Sequence, residues 1–134
     1  MTILDEDIPE DQYQLLRDWR LPVRRIGVEV GRLGMKDRDI LSLLHSLDRP
    51  TFFTLDHGFC KRGLCHAGYC LVHLDVEEER AAEFIRRTLR HRELNARAKR
   101  MGAVLRVRSG GIALWRLHAR RIVRWSWKVR PSMT

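Results

Sequence analysis

Residues 2–10 read TILDEDIPE: a short apolar run, three consecutive acids, then an isoleucine and a proline. Thr2 to Leu4 has the composition of a short buried strand. Pro9 suits the first position of a helix, and Glu10 and Asp11 suit its first turn. A strand passing directly into a helix, if repeated, specifies a parallel sheet covered by helices. The stretch also poses a chemical question, because Asp5, Glu6 and Asp7 stand where the buried strand ends.

Further along the chain the alternation continues. Val23 to Val28 reads as a second strand, and Asp37 opens a second helix whose Ile40, Leu41, Leu43, Leu44 and Leu47 form a wide apolar stripe. TFFTL at 51–55 is a third strand ending at Asp56, and YCLVHL at 69–74 a fourth. Glu77, Glu78 and Glu79 begin a third helix whose later turns carry Arg86, Arg87 and Arg90, a charge order that favours the helix dipole. Asn95 to Arg100 forms a separate helical piece. Over 103–118, Ser109-Gly110-Gly111 separates two β-rich runs as a hairpin loop does. IVRWSWKVR at 122–130 alternates, with Val123, Trp125, Trp127 and Val129 on one side and Arg124, Ser126, Lys128 and Arg130 on the other. Its tryptophan face suits packing on the core, pairing with a second copy or a partner protein, or stacking on bases.

The expected class is therefore α/β, in one domain over residues 1–134, with a motif-bearing part of about 1–101 and a basic β-rich extension of about 103–130. A chain of 134 residues, 44% hydrophobic and 32% charged, is long enough for one real core. No run approaches the roughly 18 apolar residues of a membrane span, and with Asp5 only four residues from the start no signal peptide is expected. A cytoplasmic protein is the expectation. The net charge of +9 is unevenly spread: residues 1–50 hold ten acids and eight bases, whereas residues 86–134 hold fifteen bases and one acid, Glu93. Such a basic third, rich in arginine, points to a polyanion. Arg106, Arg108, Arg116, Arg120, Arg121 and Arg124 are the nucleic-acid contacts it nominates.

In open sheets of this kind, ligands sit in the crevice outside the carboxyl ends of the strands. Asp5 and Asp56 each follow an apolar strand, and Asp37 and Asp39 come from the start of the helix after the second strand, at the same end. Carboxylates gathered in one place repel unless one is protonated or a cation lies between them. Mg²⁺ or Mn²⁺, hard ions that take oxygen ligands, would resolve the repulsion and support attack of water on a phosphodiester. Each acid also has a structural role open to it. Asp37 suits a helix N-cap, Asp39 a solvated first-turn acid, and Asp7 a helix-start residue. Thr54 is read as closing its strand rather than as a hydrogen-bond partner in the crevice.

ILDEDIP at 3–9, GMKDRDIL at 34–41 and TFFTLDHGF at 51–59, in this order and spacing, resemble the short PIN-like domains related to VapC-type toxins. The resemblance implies a three-layer PIN-like fold and a metal-dependent ribonuclease, the toxin of a toxin–antitoxin pair. Its partners would be an RNA substrate and a cognate antitoxin protein. By matching position it makes Asp5, Asp37 and Asp56 the catalytic, metal-binding acids, with Glu6 and Asp39 as further ligands. The chain departs from the family at Gly58, where a second Asp is usual. That departure leaves three alternatives: compensation by Asp39, a single ion, or a module that binds nucleic acid or a partner without cleaving.

Cys60, Cys65 and Cys70, with His57, His66 and His73, supply enough sulfur and nitrogen for zinc. Their even spacing lacks the close Cys pair of structural zinc sites, so free thiols are expected instead.

Overall fold

The computed structural model describes residues 1–127. Its seven-stranded sheet runs in the order β2-β1-β3-β4-β5-β6-β7. The strands are β1 (Thr2–Leu4), β2 (Val23–Arg25), β3 (Thr51–Thr54), β4 (Cys70–Asp75), β5 (Ala103–Arg108), β6 (Gly111–Arg116) and β7 (Val123–Ser126). The first five are mutually parallel, and β6 and β7 add to the far edge as antiparallel strands. The helices are α1 (Glu10–Asp18), α2 (Asp37–Ser46), α3 (Ala81–Arg90) and the single turn α4 (Arg97–Arg100).

Alternate strand residues feed two cores, one on each face. Leu4, Phe53, Val72, Leu105 and Leu114 pack under α1 and α3 with Tyr13, Leu16, Phe84 and Ile85. Ile3, Phe52, Leu71 and Val104 pack on the opposite face under α2 with Ile40 and Leu44, and Phe59 and Tyr69 extend that layer. Burial on both faces accounts for the near-continuous apolar runs of β3 and β4. The protein is thus a three-layer α/β domain with a mostly parallel sheet, and no helix among the described residues is long and apolar enough to cross a membrane.

Several boundaries differ from the sequence expectations. The second strand stops at Arg25, because Gly27 at φ +88° turns the chain and only a bridge between Ile26 and Val30 follows. A Cβ at Gly27 would lie 2.5 Å from the Leu33 side chain, so the turn requires glycine. Pro9 caps α1 rather than entering it. Glu78–Arg80 form a 3₁₀ turn ahead of α3 instead of its first turn. The hairpin loop is Ser109-Gly110, with Gly111 already paired to Arg108 in β6. The last strand ends at Ser126, and Lys128, Val129 and Arg130 lie outside the described residues. Trp125 and Trp127 pack against the α1–α3 core, while Val123 is 40% exposed. β5 joins β4 in parallel, so the basic extension is built into the main sheet rather than appended to it.

Candidate active site

The strand order places β1 between β2 and β3, so the chain winds one way from β1 to β2 and the other way from β1 to β3. At such a switch point the connections diverge and leave a crevice at the carboxyl ends of the strands. Asp5 follows β1 directly, and Asp56 lies two residues beyond β3.

Asp5 is only 6% exposed. One carboxylate oxygen accepts from the Glu6 amide at 2.8 Å, and the other from Thr54 Oγ1 at 2.6 Å. The Thr54 hydroxyl also lies 3.3 Å from Asp7 Oδ2 and accepts from the Asp56 amide at 3.0 Å. Thr54 is therefore the hub that joins the acids, not a residue that merely closes its strand. Asp7 corrects a second expectation. Although the residue is exposed, its carboxyl turns inward to the Leu55 amide at 3.2 Å, the first amide beyond β3.

Asp56 Oδ1 accepts from the Gly58 amide at 2.8 Å and so caps the 3₁₀ turn His57–Phe59. A Cβ built on Gly58 would lie 3.1 Å from Asp56 Oδ1 and 3.5 Å from Asp37 Oδ2. The start of α2 thus presents Asp37 to the same space as Asp56. Asp37 is the first helical residue, and the Lys36 before it makes no side-chain cap, so the N-cap role suggested for Asp37 is not the one it takes. Glu6 is turned toward the β2–α2 loop, where it accepts from the Gly34 amide at 2.9 Å. Asp39 pairs with Arg32 at 3.9 Å. The structure therefore brings Asp5, Asp7 and Asp56 together around Thr54, sets Asp37 beside Asp56, and engages Glu6 and Asp39 elsewhere.

Arg25 holds the acidic loop in shape, donating to the Glu6 carbonyl at 3.1 Å and the Ile8 carbonyl at 2.8 Å. The electrostatics are those of crowded carboxylates. Burial, then the neighbouring Asp5 charge, pushes Asp7 up to about 6. Burial raises Asp5 as well, against the hydrogen bonds from Thr54 and Glu6. These donors are oxygens suited to a hard divalent ion. Among the described residues no three His, Cys, Asp or Glu side chains are grouped closely enough to hold a metal ion. The arrangement fits an ion held by one or two carboxylates, with water and a substrate phosphate completing its shell.

Beside the acids, on the α2 face, lies a cavity of about 500 Å³ lined by Leu55, His57, Cys60, His73, Asp75 and Arg106. Arg106 and Arg108 are expected from sequence to contact nucleic acid. Both are engaged by Asp75: Arg106 through Nε at 3.0 Å and Nη2 at 2.7 Å, Arg108 through Nε at 3.6 Å. Arg116 is half-buried, whereas Arg120, Arg121 and Arg124 are exposed. A second basic surface was not singled out from sequence. Arg86, Arg87 and Arg90 of α3 share a groove with His91, Trp125 and Trp127, where His91 stacks on Trp125 at 4.9 Å between ring centres. Arg86, Arg87 and Arg90, within one turn of each other on α3, are the available signal, and the fold supplies the tryptophans.

The cysteines are free. Cys70 lies in the α1–α3 core and Cys65 against the opposite core, so the sheet separates them. Burial pushes the Cys70 thiol up to about 12.

Comparison with protein families, with curated proteins and with solved structures finds no match for this chain.

Proposed function

We propose that the protein is a Mg²⁺- or Mn²⁺-dependent ribonuclease of PIN-like architecture that hydrolyses RNA phosphodiesters. The observation that carries this reading is the gathering of Asp5, Asp7 and Asp56 around Thr54 at the switch point of the sheet, with Asp37 beside Asp56 and with Asp5 and Asp7 holding protons more tightly than ordinary carboxylates. A divalent ion, when bound, supplies a water of lowered pKa and neutralises charge on the phosphate. Asp5 and Asp56 are the residues that would hold it, and Asp37 of α2 lies beside Asp56. Thr54 orients Asp5 and Asp7, and Arg25 fixes the loop that carries them. Asp7, with a pKa near 6, is suited to take a proton from water or return one to the leaving oxygen. Action as the toxin of a toxin–antitoxin pair in the cytoplasm belongs to the same reading, with a cognate antitoxin as partner.

A second reading is a binding module without cleavage. The arginine–tryptophan groove of α3 and β7 favours it, because that surface lies apart from the acids and offers cationic and stacking contacts to a single strand.

Cleavage of cellular RNA by the purified protein decides between them. With Mn²⁺ the wild type yields discrete fragments. Chelator abolishes them, and Asp5→Asn and Asp56→Asn each lower the rate by at least about 100-fold. Equal cleavage by wild type and variants sinks the catalytic assignment; RNA binding without cleavage leaves the second reading.

A further inference from the structure

The cavity beside the acids has a composition that the hydrolytic reaction does not require. His73, on β4, is 6% exposed, yet its Nδ1 is buried with no hydrogen-bond partner. Its ring contact is with His57, 6.4 Å away between centres. Strand register sets His73 beside Arg106 on β5 and beside Thr54 on β3. Arg106 spends Nε and Nη2 on Asp75 Oδ2, which leaves Nη1 and the other carboxylate oxygen of Asp75 outside that pair.

The ligand class follows from charge and shape. Asp75 offsets the Arg106 cation, and burial lowers the His73 pKa and keeps the ring neutral near pH 7. A free phosphate would meet the Asp75 carboxylate among the walls. A flat, neutral heterocycle with both donors and acceptors on its edge finds complements in Arg106, Asp75 and His73, while Leu55 and the His57 ring offer surfaces for its faces. The cavity also exceeds what a phosphate needs. One of its walls, residues 55–57, carries Asp56, so a strand whose phosphate lies over the acids has an adjacent base within reach of this pocket.

We propose that the cavity lined by Leu55, His57, His73, Asp75 and Arg106 receives one unstacked nucleobase of the bound strand. That the base belongs to RNA rests on the ribonuclease reading; the pocket itself rests on its lining.

The test is a titration of the ¹⁵N-labelled full chain, without divalent ion, with each of the four ribonucleosides and separately with inorganic phosphate. The expected result is saturable shifts of the Leu55, His57, Cys60 and His73 amides with at least one nucleoside and not with phosphate. Arg106→Gln and His73→Phe should weaken that nucleoside by about tenfold or more. Arg106 is half-exposed, so its variant remains informative should the buried His73→Phe fail to fold. Absence of nucleoside binding, phosphate binding equally well, or unchanged affinity in a folded Arg106→Gln overturns the proposal. Nucleoside binding by a protein that cleaves no RNA would retain the pocket and remove the nuclease. Metal-dependent cleavage with no nucleoside binding would do the reverse.

Discussion

At the scale of single residues, the acids of the crevice differ in how they are held. Asp5 is buried and tied to Thr54, and Asp7 reaches the same hydroxyl from the outside. Sequence alone marked Asp5 and Asp56, because an acid at the end of a buried strand needs a partner. It could not mark Asp7, whose inward turn depends on the Leu55 amide standing beyond the end of β3. His73 was legible only as a donor weighed for zinc, because its unpartnered nitrogen exists only once β4 lies between β3 and β5. The raised pKa of Asp7 carries a signed consequence for stability. The folded state binds this proton more tightly than the unfolded chain, so the contribution is fully present below 3.8 and is lost as pH rises through about 6. Asp7→Asn should therefore gain stability relative to wild type between those limits in metal-free buffer. Denaturant midpoints of the two proteins across pH will measure the gap, and a gap that does not change with pH refutes the shift. Divalent ion should narrow it above pH 6, because the ion offsets the carboxylate charge that the wild type carries and the variant lacks.

At the scale of elements, most of the fold was legible because β1, β3, β4 and the helices repeat a simple alternation. The exceptions have local causes. Gly27 ends β2 early, and the 3₁₀ turn at Glu78–Arg80 absorbs the acids expected to start α3. The docking of α3 rests on a contact that no periodicity announces: Gln12 of α1, buried, accepts from the Ala82 amide at 2.9 Å. That bond satisfies an amide in the first turn of α3, which has no partner within the helix. Gln12→Leu should cost about 1–3 kcal/mol, since it leaves a buried donor unmet while preserving apolar volume. Urea denaturation will show it, and a loss well under 1 kcal/mol would mean that water or a shifted helix replaces the glutamine.

For the whole molecule, the charge of +9 coexists with an acidic crevice, so on the ribonuclease reading attraction of the strand and its cleavage fall to different surfaces. RNA binding should weaken steeply with salt, and Arg124→Ala should reduce the slope of log affinity against log salt by about 0.7 if that arginine meets a phosphate. Filter binding over a salt series measures this; an unchanged slope places the strand elsewhere. The hydrogen bond from Thr54 to Asp5 has a temporal consequence. It spans 49 residues of sequence, and β1 reaches β3 in parallel only after an intervening strand and two helices have been laid down. Pairings of such long range close late in folding. A nascent or partly unfolded chain thus possesses every acid and no crevice, and on the ribonuclease reading it should gain activity only once β1 and β3 have paired. In a refolding experiment, chemistry should lag behind helix formation.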